Sequence, residues 1–143
     1  MRIVLDTNVF VAGLLTPFGT CGEIVRMITS GAFTLYVDAR ILAEYNDVLR
    51  RPCFDIQPGR ADIVIGYIEC SAEVFDTSPL AAPLPDPDDA SFLEVALAAH
   101  AECLVTGNMK HFPDDRRSGV RVLTPAEFMA FYKRSATRAS KQG

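Results

Sequence analysis

The strand-forming segments of this chain are short, largely apolar runs that do not alternate with polar residues. In MRIVLD, Ile3, Val4 and Leu5 follow one another directly, and Phe33–Val37, Ala72–Phe75, Cys103–Thr106 and Val120–Leu123 are the other strand candidates, each apolar but for one polar residue. A strand with one wet face alternates; an unbroken run is buried on both faces, as in a parallel sheet covered by helices.

Helical signals lie between these runs. Glu23–Ser30 reads as a helix with Thr20 as N-cap, Glu23 in capping-box spacing and Gly31 as its stop. A second helix begins after Asp38 and ends near Arg50, before Pro52, and a third covers Arg60–Cys70. The segment TSPLAAPLPDPDD reads as a rigid loop feeding a helix from about Asp88 to His100. Thr124, Pro125 and Glu127 open a last helix to about Lys133. The alternation predicts an α/β fold with a mainly parallel sheet of about five strands. It also predicts one domain over residues 1–132 and a basic, disordered tail over 133–143.

At 143 residues and 49% hydrophobic, the chain can bury one sizeable core. No apolar run reaches the roughly 20 residues of a membrane span. The start MRIVLD lacks the long apolar region of a signal peptide, so the expected compartment is the cytoplasm. Cys21, Cys53, Cys70 and Cys103 are scattered without CxxC spacing and read as buried free thiols. His100 and His111, the only histidines, do not suggest a His-rich metal site. Net charge is −4, and Lys133, Arg134, Arg138 and Lys141 have no acid among them. Met1–Tyr132 therefore holds ten basic against eighteen acidic residues, a net of −8. An acidic body suits a bound cation, though acidic surface also aids solubility.

In open α/β sheets ligands bind beyond the carboxyl ends of the strands. Asp6 follows the first run, Asp38 the second and Asn108 the fourth. Helical spacing sorts the other acids. Glu44 sits at the edge of the stripe Ile41, Leu42, Tyr45, Val48 and Leu49, whereas Asp47 points to solvent. Asp89 aligns with Phe92, Leu93, Ala96 and Leu97; Asp88 is placed to cap the helix. Carboxylates gathered in a partly buried cleft repel one another unless protonated or bound to a cation. Oxygen ligands without Cys or His fit Mg²⁺ or Mn²⁺, ions suited to phosphodiester hydrolysis.

LDTNVF, ILAEYNDVLRRP and DPDDASFLEVALAAHAECLVTGNMKHF, in that order, resemble a PIN domain over Met1 to about Leu123. More narrowly, the chain is similar to the VapC-like bacterial toxins of toxin–antitoxin modules. The resemblance implies a three-layer α/β/α sandwich and a Mg²⁺/Mn²⁺-dependent endoribonuclease that cuts RNA. It implies an antitoxin protein as partner, and pairing as a homodimer. Asp6, Glu44 and Asp89 match the family's catalytic, metal-holding acids. Thr7 matches the polar residue after the first acid, where a hydroxyl holds metal-bound water or the strand turn; Asn8 would fix the loop and Asp88 support the site. Many members carry an acid in the segment TGD; this chain reads TGN. The amide of Asn108 can ligate a metal directly or through water but brings no charge, so metal affinity should weaken or a second ion be lost. Lys110, His111, Arg116 and Arg117 follow, either as RNA phosphate contacts or as solvated loop charges.

Rival readings are less well matched. A haloacid-dehalogenase-like phosphatase wants an Asp where Asn8 stands, and a phospho-receiver lacks its paired acids after the first strand. A catalytically weak or inactive PIN-like module that binds RNA or protein is the alternative: Asn108 favours it, and the three acids together argue against it.

Overall fold

The computed structural model describes the backbone of Met1–Gln142 and the side chains of residues 1–137. Arg138 and Lys141, two of the basic tail residues, have side chains outside the described residues.

The strands are β1 (Arg2–Leu5), β2 (Thr34–Val37), β3 (Glu73–Val74), β4 (Cys103–Val105) and β5 (Val122–Leu123). They form one all-parallel sheet in the order β3-β2-β1-β4-β5. Ile3 pairs with Leu35 on one side and Cys103 on the other, and Leu5 pairs with Val105. Ile3, Val4, Leu5, Leu104 and Val105 are all 0% exposed, the burial on both faces that unbroken apolar runs require.

The helices are α1 (Thr7–Leu15), α2 (Thr20–Thr29), α3 (Ala39–Leu49), α4 (Pro58–Ser71), α5 (Ala90–Ala98) and α6 (Pro125–Gln142). α1 packs on α2, α2 touches α6 and α3 touches α4, while α5 lies against β1, β2 and β4. This is the expected three-layer sandwich. From β1 the chain moves outward to β2 and β3, then returns across the sheet to β4. The strand order therefore reverses between β1 and β4, and a crevice opens at their carboxyl ends.

Local chemistry sets the boundaries. Asp38 caps α3, its carboxylate accepting from the Ile41 N–H at 2.9 Å. Gly31, at φ +80°, closes α2: its N–H reaches the Ile28 carbonyl and that of Ala32 the Met27 carbonyl, a Schellman motif. The capping box at α6 is present, with the Thr124 N–H to Glu127 at 3.0 Å and the Glu127 N–H to the Thr124 hydroxyl at 3.2 Å.

Four expectations are corrected. α1 is absent from the sequence reading, because NVFVAGLL is apolar nearly all round and shows no helical stripe. Thr20 lies within α2 rather than capping it; Gly19 holds the cap position. α6 runs past the stop expected near Lys133, since no Pro or Gly precedes Gly143 and the Ala, Lys, Arg and Gln of that stretch favour helix. The cysteines are free, but only Cys103 is buried.

Two ties hold α3 to the sheet and to α5. The buried Tyr45 hydroxyl donates to the Leu5 carbonyl at the end of β1, and its ring meets Phe10 edge-on at 4.8 Å. Arg40 bridges Asp38 at 2.6 Å and the buried Glu94 of α5 at 2.7 Å, and Glu94 also accepts the Leu80 N–H at 3.1 Å. Replacing Tyr45 with Phe removes only the buried hydroxyl. It is expected to destabilise the chain by about 1–2 kcal/mol in urea unfolding, with the denaturant slope unchanged.

Candidate active site

Asp6 directly follows β1 and is 6% exposed. Its N–H reaches the Val105 carbonyl at 2.9 Å, so β1–β4 pairing continues to the point where the carboxylate projects. The hydroxyl of the fully buried Thr106 donates to Asp6 Oδ2 at 2.7 Å and accepts the Asn108 N–H at 3.0 Å. Asn8 Nδ2 lies 3.4 Å from the same Asp6 oxygen, and Asn8 Oδ1 accepts the Gly107 N–H at 3.2 Å. Asn8 thus fixes the loop, as expected, by tying the end of β1 to the end of β4. Thr106 is a residue of the candidate site that the sequence did not single out. Its signal was a hydroxyl at the first position past a strand that adjoins β1.

Thr7 donates its hydroxyl to the Glu44 carboxylate, linking the first turn of α1 to α3. Glu44 is half-buried at the edge of the α3 stripe, while Asp47 is exposed and pairs with Arg51 at 2.8 Å. Asp89 ends a short 3-10 turn, Pro87–Asp89, that precedes α5. The cap of that turn is Asp86, which accepts the Asp88 N–H at 3.0 Å, so the capping role expected of Asp88 belongs to Asp86.

Asp6, Thr7, Asn8, Glu44, Asp89, Asn108 and His111 line one cleft of about 440 Å³, with Val11, Leu15, Val48 and Phe54 as its apolar walls. The structure thus gathers all three predicted acids and Asn108. Asp88 is exposed and lines an adjacent cleft with Arg40, Glu44 and Ser91. Of the basic residues expected to meet RNA, only His111 reaches the main cleft. Arg116 donates to the Pro83 carbonyl at 2.9 Å, and Arg117 to the Phe112 carbonyl at 2.8 Å while pairing with Asp114. These two arginines hold loops together; Lys110 is exposed and does not line the cleft.

Burial raises the pKa of all three acids, and neighbouring carboxylates add to the rise at Glu44 and Asp89. Burial lifts Asp6 above its ordinary value, against the pull of the Thr106 hydrogen bond. Burial also lifts Glu44, with Asp6 and Asp88 adding repulsion, against the hydrogen bond from Thr7. Asp89 is pushed up to about 6 by burial and by the charge of Asp6. Its Oδ2 atom is sealed from solvent and accepts no hydrogen bond. Nδ1 of His111 lies 3.0 Å away, an ion-pair contact when the imidazole is protonated, with no hydrogen bond between them. Carboxylates massed around an unsatisfied buried oxygen fit a divalent cation. The tightest potential ligand group among the described residues is Asp86, Asp89 and His111, whose donor atoms lie within 4.8 Å of one another.

A PIN domain family model matches residues 2–110. The chain belongs to the PIN domain family. No curated protein matches the sequence. Among solved structures, this PIN domain is similar to VapBC2 from Rickettsia felis bound to a DNA fragment from its promoter. That match has a TM-score of 0.55 and 16% identity over 87% of this chain and 98% of the other. At that identity the likeness is one of fold. PIN domains are generally nucleases that use divalent metals, and the cleft sits where the strand order of this one reverses.

The raised pKa of Asp89 has a thermodynamic sign. The folded chain holds the Asp89 proton more tightly than the unfolded chain, so ionising this group costs stability. That cost sets in as pH rises above about 4 and is complete above about 6. In metal-free buffer Asp89→Asn is expected to raise the melting temperature at pH 7 by roughly 5 °C, corresponding to about 2 kcal/mol. The gain should vanish near pH 4, as followed by circular dichroism melts.

Proposed function

We propose that this PIN domain is a Mg²⁺- or Mn²⁺-dependent endoribonuclease that hydrolyses RNA phosphodiester bonds in the cytoplasm. The observation that carries the reading is the buried, hydrogen-bond-free Oδ2 of Asp89, in one cleft with Asp6 and Glu44. Asp6, Glu44 and Asp89 would hold the cation, with Asn108 adding a neutral oxygen. Such an ion offsets charge on a phosphoryl oxygen and acidifies a bound water.

The chain's own residues do the rest. Thr106 and Asn8 keep Asp6 at the mouth of the β1–β4 crevice, so its carboxylate needs no reordering when a ligand arrives. Thr7 aims Glu44 into the cleft. Glu44, half-buried and held by Thr7 at the edge of the cleft, is placed to orient an attacking water. Val11, Leu15, Val48 and Phe54 give the cleft an apolar wall that lowers the local dielectric and strengthens each charge interaction. Asp6, Glu44 and Asp89 lining one cleft argue against a module that only binds RNA or protein.

The partner reading follows from the fold. The similar structure is of VapBC2, which supports an antitoxin protein as partner; pairing as a homodimer rests on the family resemblance alone. Co-expression with the protein encoded by a neighbouring antitoxin gene, followed by co-purification, tests the antitoxin pairing.

Incubation of the chain with single-stranded RNA and Mn²⁺ tests the activity. Asp6→Asn is expected to reduce cleavage beyond the roughly 10–100-fold typical of losing a supporting partner, while circular dichroism stays unchanged. Equal cleavage by that variant would sink the assignment. Neither ion raising the melting temperature of the wild type would sink it too, since a cation bound only by the folded state must stabilise it. Asn108→Asp restores a charge at the cleft edge and is expected to tighten Mg²⁺ binding about tenfold by calorimetry. Unchanged affinity would place residue 108 outside the metal's reach.

A further inference from the structure

We infer that His111 and Asp86 join Asp89 as metal ligands, and that this position takes first-row transition ions such as Mn²⁺ and Co²⁺ in preference to Mg²⁺. The inference rests on the divalent-metal reading of the cleft and names which ions it holds best. The donor atoms of Asp86, Asp89 and His111 lie within 4.8 Å of one another, a group that does not include Asp6 or Glu44. Asp89 is 9% exposed, and its buried Oδ2 accepts no hydrogen bond.

The Asp89–His111 pair is an ion-pair contact when His111 is protonated, and its spacing also fits two ligands of one cation. His111 Nδ1 is 3.0 Å from Asp89 Oδ2, with no hydrogen bond between them. Two neighbouring ligands of an octahedral ion, each just over 2 Å from it, sit about 3 Å apart. The pair therefore has the spacing of two donors aimed at a shared cation. Asp86 has one oxygen engaged, Oδ1 on the Asp88 N–H, which leaves its other oxygen for the ion.

The local sequence supports the same arrangement. Asn108 stands at the cleft edge without a charge, and the short 3-10 turn Met109–His111 that follows it delivers an imidazole. Asp86 returns the negative charge that Asn108 does not provide. An imidazole nitrogen is a softer donor than a carboxylate, and affinity for nitrogen donors rises along the first-row series. Mg²⁺ prefers oxygen and keeps much of its water, so it gains least from His111.

The test uses the full chain with Mn²⁺ and Mg²⁺ alone, without RNA. Pulsed electron paramagnetic resonance of the Mn²⁺-loaded wild type should show coupling to a ligand ¹⁴N, and His111→Gln should abolish it. By calorimetry the same variant should lose about 10–100-fold in Mn²⁺ affinity and less than about 3-fold for Mg²⁺. His111→Asp, which restores an oxygen donor, should bring back Mg²⁺ binding without the ¹⁴N signal. Mn²⁺ bound tightly with no ¹⁴N coupling, or coupling that survives in His111→Gln, overturns this inference and leaves the broader metal reading standing. A wild type that binds neither ion overturns both.

Discussion

The hydrogen bond from Thr106 to Asp6 is the contact on which the site depends. It joins the residues just past the ends of β1 and β4, the two strands between which the chain reverses direction. A carboxylate at that place would otherwise be buried with little compensation. Thr106 supplies a donor, the Asn108 N–H polarises that donor, and Asn8 closes the loop from the other strand. Because strand pairing runs on through the Asp6 N–H to Val105, the placement of the carboxylate is as rigid as the sheet itself.

The molecule treats its buried acids in two ways. Asp38 and Glu94 share Arg40, and Glu94 takes the Leu80 N–H as well; this cluster is neutralised from within and binds structure together. Asp6 and Glu44 receive hydroxyl and amide donors and Asp89 faces His111, with no arginine or lysine lining the cleft. Burial leaves all three above their ordinary pKa. The first arrangement is complete as it stands. The second has only His111 within the cleft as a possible counter-charge, which leaves room for a cation.

Much of this was legible in the sequence. Unbroken apolar runs between helical segments specified a parallel sheet, and strand ends ending in Asp6 and Asn108 specified the edge where a site would lie. Helical spacing distinguished Glu44 from Asp47, and the fold bears out the distinction. What escaped was decided by neighbours distant in sequence. Thr106 becomes important only because β4 pairs with β1, one hundred residues away. Arg116 and Arg117 look like phosphate ligands in isolation, yet carbonyls of Pro83 and Phe112 claim them. α1 was hidden because a helix covered on most sides has no polar face to give it a period. Asp86 took the cap from Asp88 because the proline at position 87 starts the turn one residue earlier than the acids suggest.

The loop before α5 carries Pro79, Pro83, Pro85 and Pro87, and it is pinned at Leu80 by Glu94 and at Pro83 by Arg116. Each proline narrows the conformations open to the unfolded chain, so less disorder is lost when the segment settles. Asp86 and Asp89 sit at the end of this stiffened segment. Asp86 and Asp89, which repel each other, are thus carried by a stiffened segment, and their repulsion is resisted by chain stiffness as well as by contacts.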